Sequence, residues 1–333
     1  MGQVFRKDSI QVVRHVIDGF VQRLPSSIDR RVRVAAWLSL AFQVALIGTG
    51  GAVRLTASGL GCPTWPQCTE GSFVNTPEMG IHGFIEFGNR LLTFVLAAVT
   101  IAAFLSVLRL RRQRRDLFRL TLLQGLSIPF QAVLGGITVL TGLNPYVVGA
   151  HFAVSIVLVM VTTILVWRVY NGPRNLGLLV PASVLAIARL SAAFVGVTVA
   201  VGILTTGSGP HAGDNSNPDR PAPRNGLDPE LLQHIHSWPA YITVVLTVAL
   251  AILIMRFPVE RRWIVALLAV EAVQVLVGIA QARLGLPEVL VGIHMVLAAA
   301  LVATMTAVML SLHPTAAALS ATPVELRDRI AAN

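Results

Sequence analysis

Residues 131–159 read QAVLGGITVLTGLNPYVVGAHFAVSIVLV, and residues 274–302 read QVLVGIAQARLGLPEVLVGIHMVLAAALV. At a constant offset of 143, Gln131, Gly135, Gly142, Leu143, Val148, Gly149 and His151 fall on Gln274, Gly278, Gly285, Leu286, Val291, Gly292 and His294. Each stretch is an apolar run, a Gly-Leu turn and a second apolar run with a histidine near its start. A run of about 20 apolar residues crosses a hydrocarbon layer of roughly 30 Å as a helix, so each stretch reads as a hairpin of two membrane spans. The chain therefore repeats itself, and the repeat organises the rest of the reading.

Working outward, apolar runs mark eight spans at 35–54, 84–108, 117–140, 148–167, 186–206, 231–255, 263–284 and 290–312. The composition agrees: of 333 residues 54% are apolar and 13% charged, where about 25% charged is usual for a soluble domain. A water-soluble globule is excluded. Spans one and five align at Leu38/Leu190, Ser39/Ser191, Ala41/Ala193 and Phe42/Phe194, and spans two and six, offset by 147, put Glu86 on Gln233 and Asn89 on His236. With four spans each, both halves enter from the same side, which predicts parallel repeats related by an axis along the membrane normal. The expected fold is an all-α polytopic membrane protein of eight transmembrane helices in two four-helix bundles, 35–170 and 186–312. A basic segment 1–34, a linker 171–185 and a tail 313–333 complete it.

The net charge of +10 would suggest nucleic acid in a soluble protein, but here it is a topology signal. Before span one lie Arg6, Lys7, Arg14, Arg23, Arg30, Arg31 and Arg33, and the loop between spans two and three carries Arg109, Arg111, Arg112, Arg114, Arg115 and Arg119. Arg168, Arg174, Arg256, Arg261, Arg262, Arg327 and Arg329 lie on the same face, against Arg54, Arg220 and Arg224 opposite. The positive-inside rule places both termini in the cytoplasm, and nucleic-acid binding is rejected. The N-terminal 33 residues lack the apolar core of a secretory signal, so no cleavage is expected. Val13, Ile17, Phe20 and Leu24 share a helical face, which reads either as an interfacial helix or as part of a solvated basic tail.

Cys62 and Cys68 lie in the first outer loop. In an oxidising compartment a close pair either forms a disulfide or stays as two thiols; zinc would need further ligands. The loop 207–230 is polar and rich in Pro and Gly, and reads as an outer surface loop.

Ionisable residues inside a membrane mark function by default. His236 and His294 fall at matching depth near the outer ends of spans six and eight. Two histidines at one height on different helices of a bundle are suited to holding a haem iron from both sides. In the first half His151 matches His294, but Asn89 stands where His236 would be, and an amide is a poor iron ligand. His82, Glu86 and Asn89 share one face of span two, with Arg90 beside them, so His82 is an alternative ligand. Glu86 is either a carboxylate that does chemistry or an i, i+4 ion-pair partner of Arg90. Glu271 reads as hydrogen-bonded within the bundle, His15, His211 and His313 as solvated, and His234 as facing away from His236.

These features resemble the haem A synthase family. The resemblance is carried by GTGGAVRLTASGLGCPTWPQC at 48–68, IEFGNRLLTF at 85–94, GGITVLTGLNPYVVGAHF at 135–152 and VGIHMVLAAALV at 291–302. It implies haem b held by His236 and His294, a haem O substrate in the N-terminal bundle near His151, Asn89, Arg90 and His82, Glu86 as the catalytic carboxylate, and a Cys62–Cys68 disulfide. The implied reaction oxidises the C8 methyl group of haem O to a formyl group by successive hydroxylations, making haem A for cytochrome oxidase. The setting implied is a bacterial cell membrane with the haem sites near its outer face. A haem O synthase and a respiratory electron acceptor are candidate partners, and there is room for a homo-oligomer. The family's usual pattern has a second histidine at the position of Asn89, so the N-terminal iron is expected either to be five-coordinate through His151 or to recruit His82. The competing readings are a b-type cytochrome passing electrons from quinol and a repeat-built transporter. The transporter's matched Gly or Pro helix breaks are missing: Pro129 aligns with Ala272.

Overall fold

The computed structural model describes residues 19–173, 177–214 and 221–315. Among these residues eight helices are long and apolar enough to cross a membrane. They are α1 (Arg30–Leu55), α2 (Gly80–Val107), α3 (Arg115–Leu140), α4 (Pro145–Asn171), α5 (Ala182–Ser208), α6 (Pro229–Ile254), α7 (Arg261–Arg283) and α8 (Glu288–Ser311). Each coincides with one of the expected spans: all eight begin two to five residues before it, and α2, α6, α7 and α8 end one residue short of it. Asp29 accepts hydrogen bonds from the Arg31 and Val32 amides at 2.9 and 3.2 Å, so α1 begins inside the basic segment assigned to 1–34. Asn144 caps α4 through the Tyr146 amide at 3.0 Å, with Pro145 in the first turn, and Asp228 with Pro229 starts α6 in the same way.

The two repeated stretches have the same local geometry. α3 ends at Leu140 and α7 at Arg283, and α4 begins at Pro145 and α8 at Glu288, each pair keeping the offset of 143. Gly142 and Leu143 take φ of +59° and +63°, and Gly285 and Leu286 take +76° and +62°. The Leu143 amide donates to the Thr138 carbonyl and the Leu286 amide to the Gln281 carbonyl, both at 2.8 Å, a Schellman-type ending that satisfies a helix-end carbonyl. A left-handed leucine costs about 1–2 kcal/mol; Leu143 is buried under the outer loops, which holds it there.

α1 packs on α2 and α4, and α3 on the same two helices, so α2 and α4 face each other across a diagonal; α5 to α8 repeat the arrangement. α4 also packs on α5 and α8, and its most apolar stretch is 61% buried where the other spans reach 17–28%. Together with α1, which also packs on α8, it forms the wall between the bundles. Each bundle is tightly apolar at one end: Leu250, Ile254, Leu267, Met305 and Val308 in the C-terminal bundle, Val32, Val107, Leu117 and Leu165 in the N-terminal one. The histidines lie toward the other end.

The loops that follow α1 and α5 close over that end together. The Gly59 amide donates to the Gly213 carbonyl at 2.7 Å, and Ser58 bridges Asp214. Arg54, at the end of α1, donates to the Thr206 and His211 carbonyls at 2.8 and 2.7 Å. His211 is half-buried, and its Nε2 pairs with the Leu286 carbonyl at 2.9 Å. His313, also half-buried, pairs through Nδ1 with the Gly177 carbonyl at 2.8 Å. Each has a partner that the sequence did not name, because carbonyls left at chain reversals take up nearby donors. Residues 19–23 are helical and Phe20 is exposed; Arg109 donates to the Gln22 and Leu24 carbonyls at 2.9 and 3.0 Å. Val13, Ile17, His15, residues 215–220 and the tail from 316 lie outside the described residues.

Candidate functional site

In the C-terminal bundle the rings of His236 and His294 face each other with centroids 6.2 Å apart and planes 73° apart. A metal-bound imidazole nitrogen lies about 2 Å from its ion, and a ring centre is roughly 1 Å further, so trans imidazoles sit on the order of 6 Å apart. Both Nδ1 atoms are buried without a hydrogen bond. Glycines make room for the rings. A Cβ on Gly202 would stand 2.9 Å from His236 Cε1, and one on Gly278 would stand 3.2 Å from His294 Cε1. Gln274 donates to the His294 carbonyl at 3.2 Å, tying α7 to α8 at this height.

Among the described residues no three His, Cys, Asp or Glu side chains converge as a metal-binding group. A bare ion here would have two protein ligands, too few for a structural tetrahedron. A haem brings four nitrogens of its own and needs two axial ligands at most. The residues present therefore fit a haem.

The N-terminal bundle reproduces half of this arrangement. Gln131 donates to the His151 carbonyl at 3.2 Å, and a Cβ on Gly135 would stand 3.3 Å from His151 Cε1. His151 Nδ1 is again buried and unpartnered. On the diagonal helix α2, Asn89 takes the place of the second imidazole, and its Oδ1 accepts a 2.7 Å hydrogen bond from Thr49 on α1. His82 is exposed; its Nδ1 pairs with Ser58 Oγ at 2.9 Å, and it lines an outer cavity of about 400 Å³ with Leu60, Gly61, Met79 and Asp214. The structure thus places His82 against the loop that follows α1.

Glu86 and Arg90 act as one unit beneath the first outer loop. Glu86 Oε1 accepts from Arg90 at 2.7 Å, and Oε2 accepts from the Cys62 amide at 2.6 Å. Arg90 also donates to the carbonyls of Cys62, Thr64 and Gln67 at 3.1–3.2 Å. The side chains are 8% and 22% exposed, so the pair is shielded from water and fastens the loop to α2. Cys62 and Cys68 form a disulfide with Cα atoms 4.4 Å apart. Between them Trp65 lies over Gly136 of α3, which spans the top of the bundle.

Sequence reasoning named the histidines, Glu86, Arg90, Asn89 and the cysteines, and missed Thr49, Gly202, Arg54 and Trp65. Thr49, Arg54 and Trp65 lie in the stretch 48–68, which gave none of them a role, and Gly202 lies in no quoted motif; Thr49, Arg54 and Gly202 each matter through a partner on another helix or in a distant loop. Glu271 is hydrogen-bonded as expected: Oε1 accepts from Thr247 at 2.8 Å, while its buried Oε2 has no partner.

The family described as cytochrome oxidase assembly protein, COX15-CtaA, matches residues 33–306. A protein of Listeria welshimeri named heme A synthase is 26% identical over 145 residues, 43% of this chain and 47% of that protein. Proteins of the same name from Geobacillus kaustophilus and Bacillus pumilus are 27% identical over 125 residues and 32% over 134 residues. These matches cover 38% of both chains in the first case, and 40% of this chain and 42% of the relative in the second. The matched stretch spans less than half the length of each of these relatives.

Proposed function

Because the chain belongs to the cytochrome oxidase assembly protein family, we propose that it works in haem A biosynthesis as a haem A synthase in a bacterial cell membrane. In this reading it oxidises the C8 methyl group of haem O to a formyl group by successive hydroxylations. One observation carries the proposal: two matched bundles hold histidines against glycines in the same way, yet one has two facing imidazoles and the other an imidazole opposed by an amide. A protein that only passed electrons would need no such asymmetry.

His236 and His294 would hold a resident haem b, which supplies one-electron transfer when bound. Gly202 and Gly278 set how far the two rings stand back, and Gln274 fixes the backbone that carries His294. The apolar ends of the bundles keep water from the opposite side away. In the N-terminal bundle His151 would hold the haem O substrate, beneath the loop that Trp65, the disulfide and the Glu86–Arg90 pair close over it. Glu86 is proposed as the catalytic carboxylate. Both of its oxygens are engaged, so it reaches substrate by exchanging the Cys62 amide or the Arg90 guanidinium for a substrate atom. The positive-inside bias would put both termini in the cytoplasm and both haem sites near the outer face.

The test is extraction of total haems, separated with mass detection, from membranes co-expressing this protein and a haem O synthase. Haem A or its hydroxylated precursor should appear, and should vanish with Glu86→Gln while haem b is retained. Haem b with unconverted haem O alone would replace the proposal with an electron carrier, and a fully active Glu86→Gln would remove the catalytic role.

A further inference from the structure

The two bundles differ at one spot, and the difference extends beyond one side chain. In the C-terminal bundle the space beside Gly202 of α5 is filled by the His236 ring, 2.9 Å from where a Cβ would stand. The alignment of spans one and five puts Gly50 of α1 at the corresponding position. Outside its own turns of α1, no described atom lies within 4 Å of the Cβ position there. The neighbouring residue, Thr49, holds Asn89 by its carbonyl oxygen at 2.7 Å. That bond turns the amide oxygen, the atom of this side chain that could approach iron as a ligand, toward α1 and leaves the NH2 group as a donor. The other candidate, His82, is turned to Ser58 in the outer loop.

We propose that, on the reading that haem O binds against His151, its iron takes that single protein ligand and keeps its opposite face open, with the Asn89 amide, oriented by Thr49, as a hydrogen-bond donor over the open side. The site would accept a small exogenous ligand such as carbon monoxide or cyanide. The C-terminal site, closed by two imidazoles, would not. Gly50 keeps the pocket wide enough for that ligand, and Thr49 is a positioning residue that fixes which end of the amide faces it.

The experiment loads the full-length, detergent-solubilised protein with haem O and reads visible and electron paramagnetic resonance spectra with and without carbon monoxide or cyanide. Wild type should show one low-spin, ligand-inert haem and one high-spin haem that shifts on adding ligand. Asn89→His, which places an imidazole where α6 carries one, should abolish the high-spin signal and the ligand-induced shift. Asn89→Ala should keep both, because the amide is not itself a ligand, and Thr49→Val should keep the high-spin signal while speeding cyanide release severalfold. A bound haem O that is low-spin and inert in wild type would overturn the inference, and its conversion to high-spin by His82→Ala would assign the sixth ligand to His82. Failure of the wild type to retain any haem O would overturn the substrate reading itself, a separate outcome.

Discussion

Replacing Gly202 by alanine tests whether the glycines set the spacing of the His236–His294 pair. The added Cβ would lie 2.9 Å from His236 Cε1 and 3.3 Å from its Nδ1. Carbon atoms in good contact stand about 3.5–4.0 Å apart, so the ring has to retreat by roughly 0.6–1 Å. Overpacking of this size costs about 1–3 kcal/mol. If that falls on the grip of the two imidazoles, the bound group is held roughly 5- to 150-fold more weakly, at about 1.4 kcal/mol per factor of ten. Gly278→Ala, with its Cβ 3.2 Å from His294 Cε1, should lose less, because the ring has a smaller distance to give. Gly50→Ala meets no atom within 4 Å and should leave the resident haem and the thermal stability unchanged. The assay is the haem b content of each purified variant, followed by transfer of that haem to a scavenging apoprotein, with the low-spin spectrum reporting bis-imidazole ligation. A Gly202→Ala protein that holds its haem as wild type does, or a Gly50→Ala protein that loses it equally, would refute the steric argument.

Three further outcomes are expected. Arg90→Met strands the shielded Glu86 carboxylate and should cost about 3–5 kcal/mol, whereas Glu86→Leu with Arg90→Met should recover part of that, because the Cys62, Thr64 and Gln67 carbonyls still lose their donor; thermal unfolding in nanodiscs measures both, and a double variant no better than Arg90→Met alone would contradict the pairing. Serine at Cys62 and Cys68 removes a cross-link of sequence separation 6, worth about 2 kcal/mol in loop entropy, and should speed proteolysis within residues 56–79; unchanged cleavage would show that the Glu86–Arg90 unit alone secures the loop. Arg54→Met leaves the Thr206 and His211 carbonyls without that donor, at about 1–3 kcal/mol for each acceptor left buried. It should expose residues 209–214 and 221–228 to protease, and equal protection would mean the Gly59–Gly213 contact suffices.

The linear sequence determined the membrane class, the eight spans, the Gly-Leu reversals at 142–143 and 285–286 and the matched height of His236 and His294 on their helices. These follow from run length and periodicity, because a backbone inside hydrocarbon must satisfy its own hydrogen bonds and an apolar run of that length therefore becomes a helix. The offset of 143 placed the same turn and the same histidine in both halves without reference to packing. What faced what was a different matter. That Gly202 backs His236, that Thr49 turns the Asn89 amide and that the Cys62 amide reaches Glu86 depend on how separate helices pack sideways against one another, and an apolar surface in a membrane sets no such register by itself. His211 and His313 show the same limit: each reads as a solvated polar residue, yet each serves a carbonyl 75 or 136 residues away. Whether a side chain is exposed is decided by the backbone group brought beside it, and only the tertiary structure brings those groups together.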